Sequence, residues 1–208
     1  MSVVIETEAN LKQKEAINIE NRARLKNTDF SIIASNCNGG IISHDLGLQF
    51  RSPFINLWLK PKEYIKLLQN LKEYMQYELT FIKEEGIDYP IGLLKDVRIY
   101  FMHYETEEIA KEKWEARAKR LNYDNLFILF TDRDECSLED MEAFDNLPYK
   151  NKVIFVNKEC PNIKSSYYIK GFENEESVGK LGIYIDEKSG KRYLDLFDYV
   201  EWFNNGNL

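Results

Sequence analysis

The chain has 208 residues, of which 44% are hydrophobic and 13% aromatic, and this bulk excludes an intrinsically disordered protein. Its formal net charge of −7 argues against a nucleic-acid-binding protein, because the phosphate backbone would be repelled. The longest apolar runs, such as LFILF at 126–130, are too short to span a membrane. A length of this kind suits one domain with a sizeable core.

The cysteines and the first residues bear on the cellular compartment. The first ten residues carry acidic side chains and no basic one ahead of an apolar run, which is not the pattern of a signal peptide. Cys37, Cys136 and Cys160 form no C-x-x-C pair, and an odd number of thiols indicates reduced cysteines. We therefore expect a cytoplasmic protein.

The N-terminal segment is predicted to be a helix outside the main domain. Residues 8–26 have the charge and alanine content of a helix, with a thin apolar stripe that suits docking or a contact between subunits. We divide the chain into a helical arm, 1–27, which could join copies in a homo-oligomer, and a single α/β domain, 28–208. The run at 30–34 predicts a first strand, and 60–79 an amphipathic helix.

The middle of the chain alternates between strand and helix patterns. Such a succession predicts a mainly parallel, doubly wound, Rossmann-like sheet with helices on both faces. Two further short strands and a last helix follow, with Asp195 as the predicted N-cap and Gly206 just past the end. The predicted strands are 96–104, 125–130, 152–156, 166–170 and 181–186, and the predicted helices are 106–121, 137–147 and 196–203.

Polar residues follow each of four predicted strands, where open parallel sheets bind their ligands. Because those strand ends meet at one edge, we expect these groups to converge on one site. They are Ser35, Asn36, Cys37, Asn38, Gly39 and Gly40 after the first strand, His103 and Tyr104 after the second, Thr131, Asp132, Arg133 and Asp134 after the third, and Asn157 and Lys158 after the fourth.

The stretch SNCNGG at 35–40 has two interpretations. The paired glycines can expose backbone N–H groups to an anion, although the spacing fits neither nucleotide-binding fingerprint. The same letters also suit an ordinary turn. Cys37 is either a small packing residue or a nucleophile activated by His103 or His44.

Two other groups have a chemical and a structural interpretation. Asp132 and Asp134 form a D-x-D pattern that could hold Mg²⁺ or Mn²⁺ against a sugar diphosphate, or could arise by chance beside a helix start. Arg117 and Arg120 could bind phosphate or carboxylate, or simply flank Trp114, for which we favour core packing. The two histidines do not make a zinc pattern.

Several stretches together resemble a bacterial family often labelled exopolysaccharide-biosynthesis protein. The resemblance covers nearly the whole chain after the arm, and it implies a cytoplasmic α/β protein associated with surface glycans, without catalytic residues to carry over. The segments that carry it are SNCNGGIISHDLGLQFRSPFINLWL, YPIGLLKDVRIYFMHY, KEKWEARAKRLNYDNLFILFTDRDEC, FDNLPYKNKVIFV and GKRYLDLFDYVEWFN.

Three functions are therefore expected, in this order. The first is an enzyme of surface-polysaccharide synthesis acting on a sugar or nucleotide-sugar, such as a glycosyltransferase, with the amides of 38–40 and an arginine on the anion and His103 as general base. The second is an acyltransferase or hydrolase that uses Cys37 with His103. The third is a glycan- or partner-binding module without catalysis.

Overall fold

The computed structural model describes residues 6–206 as helices packed on two β-sheets. The helices are α1 (Glu8–Arg24), α2 (Asn38–Asp45), α3 (Pro61–Gln69), α4 (Leu71–Tyr74), α5 (Glu107–Ala118), α6 (Leu138–Asp145) and α7 (Tyr199–Asn205), with a 3₁₀ turn at Tyr193–Leu196. The strands are β1 (Ser31–Ala34), β2 (Leu79–Ile82), β3 (Ile91–Leu94), β4 (Val97–Tyr100), β5 (Leu126–Thr131), β6 (Asn151–Val156) and β7 (Ser166–Tyr168). The protein is thus a mixed α/β structure.

One of the two sheets is parallel and the other antiparallel. The parallel sheet has the order β1-β5-β6-β7, and the antiparallel sheet has the order β2-β3-β4. The strand predicted at 96–104 is therefore β4 of the antiparallel sheet and not a member of the parallel one. The reason is local: only Lys95 and Asp96 separate β3 from β4, and so short a loop joins antiparallel neighbours.

The order of the parallel strands bears on the predicted winding. The strands lie across the sheet in chain order, so this sheet contains no reversal of strand order. Such a reversal defines a doubly wound sheet and marks its ligand crevice. The doubly wound, Rossmann-like arrangement is thus not confirmed, although the parallel sheet is.

Both faces of the parallel sheet are covered by apolar side chains. Alternation along the strands sends Ile33 and Ile128 to one face, where α3, α5 and α6 pack, and Ile32 and Phe127 to the other, where α2 and α7 pack. Phe127 meets Trp202 of α7 edge to face at 4.8 Å between ring centroids. A sheet buried on both sides explains why its strands read as continuous apolar runs.

A short extended segment joins the two sheets. The backbone N–H of Leu59 donates to the carbonyl of Ser35 at the end of β1 (3.0 Å). Trp58 exchanges two backbone hydrogen bonds of 2.9 Å with Tyr100 at the end of β4. This bridge brings the loop after β4 close to the loop after β1.

Three predicted elements differ in detail from the structure. The helix expected at 60–79 is interrupted at Asn70, whose backbone leaves the helical region (φ −139°, ψ 43°). Residues 181–186 form turns and one isolated bridge instead of a strand. The N-cap of α7 is Asp198, not Asp195, whereas Gly206 ends the helix as expected, in the left-handed conformation (φ 70°).

Helix α1 docks on the rest of the molecule through polar side chains. Its buried residues are Asn10, Lys14 and Asn18, spaced four apart, while Leu11 and Ile19 of the expected apolar stripe are exposed. The Lys14 ammonium lies 3.0 Å from Asp45 and 2.7 Å from Asp195. The stripe was therefore the wrong docking face, and the division at residue 27 stays a prediction. Within residues 6–206, no helix is long and apolar enough to cross a membrane.

Candidate functional site

Gly39 lets α2 begin directly after β1, close against the strand. Gly39 and Gly40 belong to the first turn of α2, and neither has a positive φ. A Cβ on Gly39 would lie 3.0 Å from the Ala34 Cβ and the Ile32 Cγ2, which is tighter than ordinary contact. Gly39 thus serves the close approach of helix and strand, while a Cβ on Gly40 would lie 3.1 Å from the Asn56 side-chain oxygen.

The loop between β1 and α2 is tied to the end of β5. The Asn36 amide donates to the Thr131 hydroxyl (3.1 Å), and its oxygen accepts the backbone N–H of Asn38 (3.2 Å). Ser35 is buried, and its backbone pairs with Leu129 and Leu59. The polar groups after the first and third predicted strands therefore lie together, because β1 and β5 are adjacent parallel strands that end at the same edge of the sheet.

Cys37 lies in the same neighbourhood as Tyr104 and Arg133. Burial raises the pKa of the Cys37 thiol, and the Arg133 charge lowers it only in part. Burial likewise raises the pKa of Tyr104, against the lowering effect of Arg117, and Cys37 adds to the increase. The Tyr104 hydroxyl donates to the Ile55 carbonyl (2.7 Å) and accepts from Arg117 (2.6 Å). Cys37 is thus a half-buried, protonated thiol.

Neither histidine forms a hydrogen bond with Cys37 in the described part of the chain. His103 is exposed, and within residues 6–206 its side chain has no hydrogen bond or ion pair. His44 is exposed near the end of α2, with its Nδ1 3.9 Å from a carboxylate oxygen of Asp45. The predicted dyad is therefore not assembled within residues 6–206, and His103 is an exposed residue next to Tyr104 in the chain.

Asp132 is engaged by backbone groups of two loops. Its carboxylate accepts the N–H of Asn157 (2.8 Å) and the N–H of Val178 (2.7 Å). Burial raises its pKa even though these hydrogen bonds act in the opposite direction. Asp134, by contrast, is exposed and has a positive φ of 60°. Among residues 6–206 no group of three or more His, Cys, Asp or Glu could hold a metal ion, so binding by this aspartate pair stays a prediction.

A cavity of about 760 Å³ opens beside these strand ends; we call it the carboxyl-edge cavity. The Asn157 amide holds part of its wall by donating to the carbonyl of Glu175 (2.6 Å). The lining is Arg133, Phe172, residues 174–180 and Ile183. No ligand-binding role was predicted for Arg133. Its position shortly after β5, between the two aspartates of TDRDE, is the sequence feature that indicates one.

The arginines predicted to bind an anion have other contacts. The Arg117 guanidinium stacks over the Phe50 ring (5.1 Å), and the exposed Arg120 donates to the Phe50 carbonyl (3.2 Å). Trp114 packs edge to face on Phe54 at 5.3 Å, which confirms the expected core role. Arg117 reaches the neighbourhood of Cys37 through Tyr104, while the structure gives Arg120 no contact with it.

Comparison with known proteins gives a family but no activity. Residues 8–204 match the sequence model of a family described as a domain of unknown function, DUF1919. A protein of Haemophilus influenzae, described as an uncharacterized protein, is 46% identical over 201 residues and aligned over 97% of each chain. Neither description mentions polysaccharides.

Proposed function

The chain belongs to the DUF1919 family, and we propose from its site geometry that it binds an activated sugar by its phosphate groups in the carboxyl-edge cavity. In this proposal it is a cytoplasmic sugar-transferring enzyme of surface-polysaccharide synthesis. The observation that carries the proposal is Arg133, a half-buried cation in the wall of a cavity of suitable size.

The charge of Arg133 is available to a ligand. No ion pair or side-chain hydrogen bond among residues 6–206 involves its guanidinium. A planar guanidinium with several N–H donors suits the oxygens of a phosphate group. The Arg133 charge also lowers the pKa of the half-buried Cys37, so its electrostatic effect reaches the residue before α2. An anion here would meet Arg133 and Lys180, on a wall that also carries Glu175 and Glu176.

The size and construction of the cavity also support this proposal. About 760 Å³ lies within the range of small-molecule sites. Its wall contains the backbone at 177–179, where Gly179 lets the chain pack directly against the Phe172 ring. The wall is fixed to the sheet through Asp132 and Asn157, so the ligand would meet a largely preformed surface.

The proposed reaction is the displacement of a sugar from its diphosphate. The oxygen of an acceptor hydroxyl attacks the anomeric carbon, the bond to the diphosphate breaks, and His103 accepts the hydroxyl proton as general base. Arg133 stabilises the charge that develops on the leaving diphosphate. A divalent ion held by Asp134 and by the remaining lone pairs of the Asp132 carboxylate would add to that stabilisation.

A thermal-shift screen tests the binding step. We expect at least one nucleotide-sugar to raise the melting temperature, with or without Mg²⁺ or Mn²⁺, because a ligand of the native state stabilises it. No shift across a panel of uridine, guanosine, cytidine and thymidine diphosphate sugars would contradict the proposal.

The other two expected functions have weaker support. An acyltransferase or hydrolase that uses Cys37 needs a reactive thiolate, whereas burial raises the pKa of this thiol and no described hydrogen bond links it to a histidine. A module that only binds glycans would bind the sugar without turnover. His103→Ala separates these cases: it leaves binding unchanged and abolishes transfer if His103 is the base.

A further inference from the structure

A second cavity, of about 460 Å³, lies at the opposite edge of the parallel sheet, where β6 begins; we call it the lysine cavity. Its lining is Asp145, Lys150, Lys152, Lys164, Ser165, Trp202 and Gly206. Three lysines and one aspartate give this wall an excess of positive charge in a chain whose net charge is −7. Such a local excess favours an anionic ligand.

Part of that charge already has a structural role. The Lys152 ammonium donates to the carbonyls of Leu147 (2.8 Å) and Tyr149 (3.3 Å), just after α6 ends. The Asp145 carboxylate accepts from the N–H (2.8 Å) and the hydroxyl (2.7 Å) of Ser165. These contacts account for Lys152 and Asp145. They leave Lys150 and Lys164, neither of which forms an ion pair within residues 6–206.

Two buried polar atoms beside the lysine cavity have no hydrogen-bond partner. Trp202 is 1% exposed, and its indole N–H is unpaired among the described residues. The carbonyl oxygen of the Asn151 side chain is likewise unpaired, and it lies beside Gly206, where a Cβ would come within 2.6 Å of it. A buried donor without a protein partner is costly, and the cavity that Trp202 lines is where an acceptor could reach this N–H.

We propose that the lysine cavity is a phosphate-binding site, separate from the carboxyl-edge cavity, that takes the dianionic phosphate group of a small metabolite. The phosphate oxygens accept from the Lys150 and Lys164 ammonium groups and from the Trp202 indole N–H. Dicarboxylates, which are flatter and more weakly charged at each end, bind less well.

The test follows the three indole N–H signals in an NMR spectrum of ¹⁵N-tryptophan-labelled protein, with the Trp202 signal assigned by elimination using Trp58→Phe and Trp114→Phe. Pyrophosphate and inorganic phosphate are titrated at constant ionic strength. We expect the Trp202 signal to shift saturably, and Lys150→Gln and Lys164→Gln to weaken binding each by about fivefold. Lys188→Gln, which removes an exposed lysine at another surface hollow, leaves it unchanged.

The same titration separates this site from the carboxyl-edge cavity. In Arg133→Gln we expect the Trp202 shift to persist with unchanged affinity, whereas loss of the shift there would overturn the separate site. The proposal would be overturned by a Trp202 signal that does not move or does not saturate. It would also be overturned by a Lys150→Gln/Lys164→Gln double variant that binds like the wild type. Equal affinity for malonate would overturn the choice of phosphate.

Discussion

Cys37 is a residue on which burial and a neighbouring charge act in opposite directions. Its position between β1 and α2, next to Arg133, is the setting expected of an activated thiol. Half-burial nevertheless dominates, and the pKa of the thiol lies above its ordinary value. The sequence predicted the position of Cys37 at the sheet edge but could not predict this balance, because it depends on how much side chain the fold covers.

Alkylation as a function of pH tests this balance. We expect the iodoacetamide rate at Cys37 to be low at pH 6 and to rise with a midpoint above pH 9, because only the thiolate reacts. Cys136, whose pKa burial raises to about 12, should react more slowly still. Peptide mass spectrometry separates the three cysteines, and the chain unfolded in guanidinium provides the control. Rapid labelling of native Cys37 at pH 6 would contradict the raised pKa and would support the acyltransferase or hydrolase that uses Cys37.

Arg133 and Trp114 show two limits of residue-level inference. Trp114 was correctly assigned to the core because bulky aromatic side chains in a helix almost always pack. Arg133 was predicted to lie in the loop after the third strand, but the anion-binding role was predicted for Arg117 and Arg120. In the structure the Asp132 carboxylate accepts hydrogen bonds from two backbone N–H groups, whereas the Arg133 side chain lines the cavity.

At the scale of elements, Asp132 connects three segments that are distant in sequence. It follows β5, accepts from the residue after β6, and fixes residue 178 in the wall of the carboxyl-edge cavity. One carboxylate with two acceptor oxygens is well suited to join two backbone donors. The wall of the cavity thus depends on an interaction that no local sequence pattern reveals.

Asp132→Asn tests that connection. The amide retains one acceptor oxygen and turns an NH₂ group towards the other backbone N–H, so we expect a loss of about 1–2 kcal/mol in the free energy of unfolding. Hydrogen exchange measured by mass spectrometry should accelerate in residues 172–180. Asp134→Asn, an exposed change two residues away, should alter neither quantity. Equal protection of 172–180 in both variants would contradict the role of Asp132.

Element types were more predictable than element pairing. Runs of apolar residues predicted the bounds of β1, β5 and β6 to within a residue or two. The capping residue Ser137 and the acidic first turn predicted the start of α6. The pairing of β4 with β3 was missed because no strand was predicted at 91–94, so the strand at 96–104 was assigned to the parallel succession. SNCNGG was interpreted either as an anion-binding loop or as an ordinary turn, whereas the fold starts α2 within it and places Gly39 against β1.

At the scale of the whole molecule, a buried ionic cluster closes the chain onto itself. Lys14 of α1 meets Asp45 at the end of α2 and Asp195 near the C-terminus, and Arg192 lies 3.2 Å from Asp45. Lys14 is only 3% exposed. Asp195 lies 181 residues from Lys14, and Arg192 lies 147 residues from Asp45, so no local sequence pattern indicates these pairings. The predicted orientation of the helix rested on its thin apolar stripe instead.

Lys14→Met tests whether α1 is an integral part of the domain. Methionine keeps the length of the side chain but leaves two carboxylates buried with one fewer cation, so we expect a loss of about 3 kcal/mol in the free energy of unfolding. Chemical denaturation measures it, and Lys12→Met, an exposed lysine on the same helix, serves as the control. Similar stability of both variants would show that α1 is a separable arm.

The most direct test of the central claim is calorimetric titration of wild-type and Arg133→Gln protein with the nucleotide-sugar that gives the largest thermal shift. Loss of a charged hydrogen-bond donor to phosphate predicts at least a roughly tenfold weaker affinity for Arg133→Gln. Arg98→Gln, the same change on an exposed strand residue, should bind like the wild type. Equal affinity of wild-type and Arg133→Gln protein would contradict the assignment of the carboxyl-edge cavity as the sugar-phosphate site.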